Sequence, residues 1–132
     1  HVNPSFIYAV FLWPYFKVLE DKYINNKSRS IDDVFRYIIE SQAKYISIPD
    51  FFQNTIFSIW SLQSSFLNLS KRNIHYLTKL NKFRAAYDFF YIRSQIDSDL
   101  KQYADKWFEI QKNVDGKNIN KGKNFIINGK KR

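Results

Sequence analysis

The chain has 132 residues, 45% of them hydrophobic and 19% aromatic, with a formal net charge of +9 and no cysteine. That length and apolar content suffice for one buried core and exclude disorder throughout. Without cysteine there is no disulfide framework, thiolate nucleophile or cysteine-based zinc site.

The chain opens at His1 and contains no methionine, so residues upstream of His1 are expected in the natural product. All three glycines, Gly116, Gly122 and Gly129, fall in the last 17 residues. A long glycine-free stretch with apolar residues at threes and fours favours helices, whereas strands would alternate between turns. The expected fold is all-α: one irregular bundle of about five to six helices over residues 1-115, then a flexible basic tail over 116-132.

The first helix is expected from Ser5, with Phe6, Ala9, Val10, Trp13 and Phe16 facing the core and Pro14 bending or splitting it. The run from Phe6 to Phe16 is well short of the roughly 20 apolar residues of a membrane helix and has no basic leader before it. No membrane association and a cytoplasmic location are expected. A second helix should begin at Ser30, whose hydroxyl can cap it, with Asp32 and Asp33 in its first turn and Ile31, Val34, Phe35, Ile38, Ile39 and Ile46 as its stripe. Ile48-Pro49 ends that segment and starts a third helix carrying Phe52, Ile56, Ile59, Trp60, Gln63 and Phe66/Leu67.

A short helix follows from Ser70 to about Leu80, and another from Asn81 to about Gln95. In the latter, Phe83, Ala86, Tyr87, Phe90 and Tyr91 share one face while Ala85, Phe89, Ile92 and Ile96 cover the other, so it should lie between neighbours. The last helix, from about Ser98 to Lys112, should bury Leu100, Ala104, Trp107 and Phe108. Trp13, Trp60, Phe83, Tyr87 and Trp107 are expected to be structural, together with Arg84 and Asp88, an ion pair one turn apart.

Between residues 71 and 93, six cations stand against the single acid Asp88. Lys71, Arg72, His75, Lys79, Lys82 and Arg93 form the candidate RNA-binding set there, and Lys117, Lys121, Lys123, Lys130, Lys131 and Arg132 extend it into the tail. Clustered cations attract polyanions through counterion release, and His75 and Tyr76 can stack on unpaired bases, which suits single-stranded RNA. The alternative is a solvated helix face. No catalytic or metal-binding set emerges: Asp97-Ser98-Asp99 precedes a helix, where capping explains it, and His75 has no partners for a triad or metal cluster. The chain by itself is expected to be inactive.

Five ordered blocks carry a resemblance to a known family: Val2-Asn3-Pro4-Ser5-Phe6 with Phe11-Leu12-Trp13-Pro14-Tyr15, then Ile48-Pro49, Ile59-Trp60-x-Leu62-Gln63, Phe83-Arg84-Ala85-Ala86-Tyr87-Asp88, and Trp107-x-x-x-Gln111. From about Val2 to Gln111 the chain resembles the C-terminal part of bacterial poly(A) polymerases, class II nucleotidyltransferases. The resemblance implies an intact enzyme that transfers AMP from ATP to RNA 3′ ends, using ATP and Mg²⁺ bound by a catalytic head outside this chain. It also implies RNA 3′ ends and RNA-decay proteins as partners. Two departures stand out: Lys79-Leu80-Asn81 replaces the family's Glu-His-Pro, and the tail is rich in lysine and asparagine instead of arginine. A second reading is a non-catalytic remnant or free-standing helical module that binds RNA or protein.

Overall fold

A computed structural model describes residues 4–45 and 47–121, with side chains to residue 113. The described residues form six α-helices, joined by shorter helical turns, with no strand among them. They are α1 (Pro4–Leu19), α2 (Ile31–Gln42), α3 (Asp50–Ser61), α4 (Lys71–Thr78), α5 (Phe83–Ile96) and α6 (Lys101–Lys121). The all-α expectation is met. The expected boundary at 115 falls within α6, and residues 122–132 lie outside the described residues.

Pro14 does not split α1. Its ring lies on the exposed side, and the packing of Leu12 and Phe16 on either side of it offsets the lost backbone hydrogen bond. The helix buries Ser5, Ala9, Leu12 and Phe16, so Leu12 takes the core position expected of Val10, which is exposed. After α1 comes one π-helical turn, Glu20–Ile24, and the loop to α2 is closed with Lys27 at φ 64°, a left-handed conformation usually left to glycine. Ser30 caps α2 as expected, its hydroxyl accepting from the Asp33 amide at 3.1 Å. Val34 and Ile38 are buried beneath it, and Ile46 lies outside the described residues.

The bundle holds two aromatic cores. In the first, α1, α2 and α3 meet around Phe16, Ile38, Ile56, Ile59 and Trp60. Trp60 stacks on Phe16 at 4.7 Å between centroids and donates its indole N–H to the Ala9 carbonyl at 3.1 Å, tying α3 to α1. In the second, Phe66, Leu77, Phe83, Tyr87, Phe90 and Trp107 meet. Trp107 packs edge-on against Phe66 and donates to its carbonyl at 2.7 Å, tying α6 to the 3₁₀ turn Gln63–Leu67. That turn is why α3 stops at Ser61: Gln63 and Phe66 point inward, and Leu67, an expected core residue, is exposed.

α5 belongs to both cores, since Phe89 lies in the first and Phe83, Ala86, Tyr87 and Phe90 in the second. Its place between neighbours matches its two-sided pattern. The pattern overreaches toward the C-terminus, however: Ile92 and Ile96 are exposed because the first core reaches only as far as Phe89, and Tyr91 is exposed beyond the edge of the second. Phe108 on α6 is exposed for a similar reason, as Ala104, Trp107 and Gln111 already fill the inward face.

Candidate nucleic-acid interface

α4 is a short helix fixed at three points. Ser70 caps it by accepting from the Asn73 amide at 3.2 Å. The Asn73 side-chain amide donates to the carbonyls of Ser65 at 2.8 Å and Asn68 at 2.7 Å, clamping the first turn to the segment before it. Leu77, fully buried in the second core, holds the other end.

With those anchors inward, Lys71, Arg72, His75, Tyr76 and Lys79 are all exposed. Lys71, His75 and Lys79 are spaced at successive fours and form one stripe about 12 Å long, with Arg72 and Tyr76 beside it. No acidic residue occurs in the sequence between Asp50 and Asp88. The surface therefore offers cations for phosphates and two rings for stacking, a combination suited to unpaired nucleic acid.

The other candidate residues lie elsewhere. Lys82 sits at the start of α5 and donates to the Thr55 hydroxyl on α3 at 3.2 Å. Arg93 faces the junction of the two cores, its guanidinium 4.5 Å from the Trp13 ring centroid and 5.6 Å from that of Phe90, and donates to Gln63 Oε1 at 3.0 Å. Burial pulls its pKa below the ordinary value, against the raising influence of Glu20 and Asp97. Gln63 in turn donates to the carbonyls of Ile59 at 2.8 Å and Ala86 at 3.1 Å, so Arg93 completes a structural junction between α3 and α5. Lys117 and Lys121 fall within α6, but their side chains lie outside the description, as do Lys123, Lys130, Lys131 and Arg132 altogether.

Arg84 pairs with Asp88 at 3.8 Å, as the one-turn spacing suggests, and also donates to Gln111 on α6. Gln63 and Gln111 belong to the Ile-Trp-x-Leu-Gln and Trp-x-x-x-Gln blocks. The blocks marked these residues, but their roles as cross-helix partners depend on tertiary contacts. Asp97 serves as a cap, accepting from the Asp99 amide at 3.0 Å, and no group of acids or histidines among the described residues is arranged to hold a metal ion. No helix among the described residues is long and apolar enough to cross a membrane.

Fold and surface together define an all-α domain built on two aromatic cores, presenting a basic, ring-bearing helix. Residues 25–124 match the family described as Polymerase A arginine-rich C-terminus, and the chain belongs to that family. Among curated proteins it is 28% identical over 119 residues to Poly(A) polymerase I of Salmonella typhi and of Salmonella typhimurium, and 27% identical to that of Escherichia coli O157:H7. Each alignment covers 83% of this chain and 25% of the relative, so the chain spans about a quarter of the length of these relatives. No solved structure matches it.

Proposed function

We propose that the chain is the RNA-binding C-terminal part of a polynucleotide adenylyltransferase, which adds AMP from ATP to RNA 3′ ends and so marks transcripts for decay in the cytoplasm. The observation that carries this reading is the family match over residues 25–124, with relatives named poly(A) polymerase I. The exposed cations and rings of α4 support it, because the phosphates of a single strand and its unstacked bases need those two kinds of group side by side. ATP, Mg²⁺ and the transfer chemistry belong to parts of the protein outside this chain, which alone is inactive. Proteins of RNA decay would be its further partners.

The test is binding of a single-stranded decaadenylate RNA to the chain over a range of salt concentrations. Each phosphate contact contributes about 0.7 to the logarithmic salt slope on a single strand. Lys71→Ala/Arg72→Ala/Lys79→Ala should weaken binding and flatten that slope by about 2, with the helical content of the bundle intact. An unchanged slope would refute the assignment to α4.

A further inference from the structure

The first helix has no polar face. Apart from Lys17, which pairs with Glu20 at 2.9 Å, none of the 16 residues of α1 is charged. Ala9, Leu12 and Phe16 are buried in the first core. Other positions of the same helix are open to water: Ile7 is 53% exposed, Phe11 80% and Val18 61%, with Val10 and Pro14 also exposed. Ile7, Phe11, Pro14 and Val18 follow one another at helical spacing and form one apolar stripe about 16 Å long. α2 shows the contrast, since its exposed side carries Asp32, Asp33, Arg36 and Glu40.

A helix that is apolar all round is covered on every side, by protein or by lipid. Single exposed apolar residues are ordinary, but a continuous row of them marks a contact surface. Lipid is a poor cover here: α1 falls short of the roughly 20 residues of a span, and the face opposite the stripe is packed into the core instead of being polar and wet. The position of α1 indicates a protein cover. The family match begins at residue 25, past α1, and the family is described as a C-terminus. This chain spans only 25% of its poly(A) polymerase I relatives, so in such proteins the greater part of the polypeptide stands ahead of the matched domain. α1 is the helix at which that part would arrive.

We propose that the exposed face of α1 is the docking surface for the polypeptide that precedes this domain in the native product, with an apolar segment of that polypeptide seated over Ile7, Phe11, Pro14 and Val18. This rests on the reading of the chain as the C-terminal part of a longer protein. It gives α1 a role of its own: a rigid joint that fixes the α4 surface relative to the part carrying the transfer chemistry.

The experiment is hydroxyl-radical footprinting of the native product, folded and in urea, read residue by residue by mass spectrometry. Dividing the unfolded rate by the folded one removes the intrinsic reactivity of each side chain. Phe11 should be protected at least about tenfold, as a residue in the dry centre of an interface is. Trp60, 2% exposed in the first core, sets the scale of protection, and Tyr76, 59% exposed on α4, should react almost as in urea. Phe11→Glu places an unpaired carboxylate under the cover and should raise labelling of Ile7 and Val18 at least about fivefold. Phe11→Leu, still apolar, should leave their labelling unchanged. Phe11 as reactive as Tyr76 in the wild type, or a native product with no polypeptide ahead of this domain, would overturn the proposal. So would protection lost on dilution, which would assign the face to a second copy of the chain. Assaying AMP tailing on the same product separates this proposal from the function proposed above. Tailing with a reactive Phe11 overturns the docking face alone, and a protected Phe11 without tailing supports the face and overturns the enzyme reading.

Discussion

Trp60 both fills a core and makes a cross-helix bond. Its ring stacks on Phe16 and its N–H donates to the Ala9 carbonyl, so Trp60→Ala leaves a cavity and removes a bond that ties α3 to α1. The expected loss is about 3 to 5 kcal/mol in urea unfolding. Trp60→Phe, which retains most of the ring, should cost less and report mainly on the hydrogen bond. Tyr87 behaves differently. With its pKa raised to about 12, the folded state holds the phenolic proton more tightly than the unfolded chain does. That contribution is fully present below the ordinary tyrosine value near 10 and is lost as pH rises through 12. Comparing the unfolding of wild type and Tyr87→Phe should therefore give a constant difference below pH 10 and a shift in favour of phenylalanine between 10 and 12. At this scale the sequence revealed that Trp60 and Trp107 are buried, because tryptophan at helical spacing usually packs, but not that Tyr91 and Phe108 are exposed. It did not reveal their partners: nothing local to Arg93 distinguishes a cation that meets RNA from one lying over Trp13 and bonded to Gln63, 30 positions away.

α4 shows how much a short helix depends on its attachments. Its eight residues are too few to be stable alone, so the basic stripe is only as well placed as the Ser70 cap, the Asn73 clamp and the Leu77 anchor make it. Asn73→Ala removes two hydrogen bonds to carbonyls and should speed amide exchange throughout α4 while leaving α1 to α3 protected. Equal exchange of α4 in wild type and Asn73→Ala would mean that the clamp contributes nothing. The cap and the start of α4 were readable from Ser70 itself, as was the start of α2 from Ser30. Where a helix is apolar on every side, periodicity cannot choose a face: in α1 it suggested Val10, and Leu12 is the residue buried. In α5 it correctly placed the helix between neighbours but could not show that the first core buries only Phe89 from it, because that limit is set by α1 and α3.

Across the whole molecule, α5 joins two aromatic cores, and the junction is polar where they meet: Arg93 over Trp13 and Phe90, bonded to Gln63, which is bonded to α3 and α5. The ordered family blocks fall on this framework. Ile59-Trp60-x-Leu62-Gln63 supplies the first core and the junction, Phe83-Arg84-Ala85-Ala86-Tyr87-Asp88 the shared helix, and Trp107-x-x-x-Gln111 the second core and its link to Arg84. The family was legible because these residues are required for packing. The cations proposed to meet RNA left no comparable pattern, since exposed cations obey no spacing that packing imposes. The function proposed for the chain makes this framework the holder of an RNA-binding surface for an adenylyltransferase. It is tested most directly by Mg²⁺-dependent incorporation of AMP from ATP into an RNA 3′ end by the native product carrying this sequence, with and without the α4 triple substitution. Tailing by the wild type is expected, and in the variant a raised KM for RNA with kcat nearly unchanged. Absence of tailing, or a variant indistinguishable from wild type at limiting RNA, would contradict it.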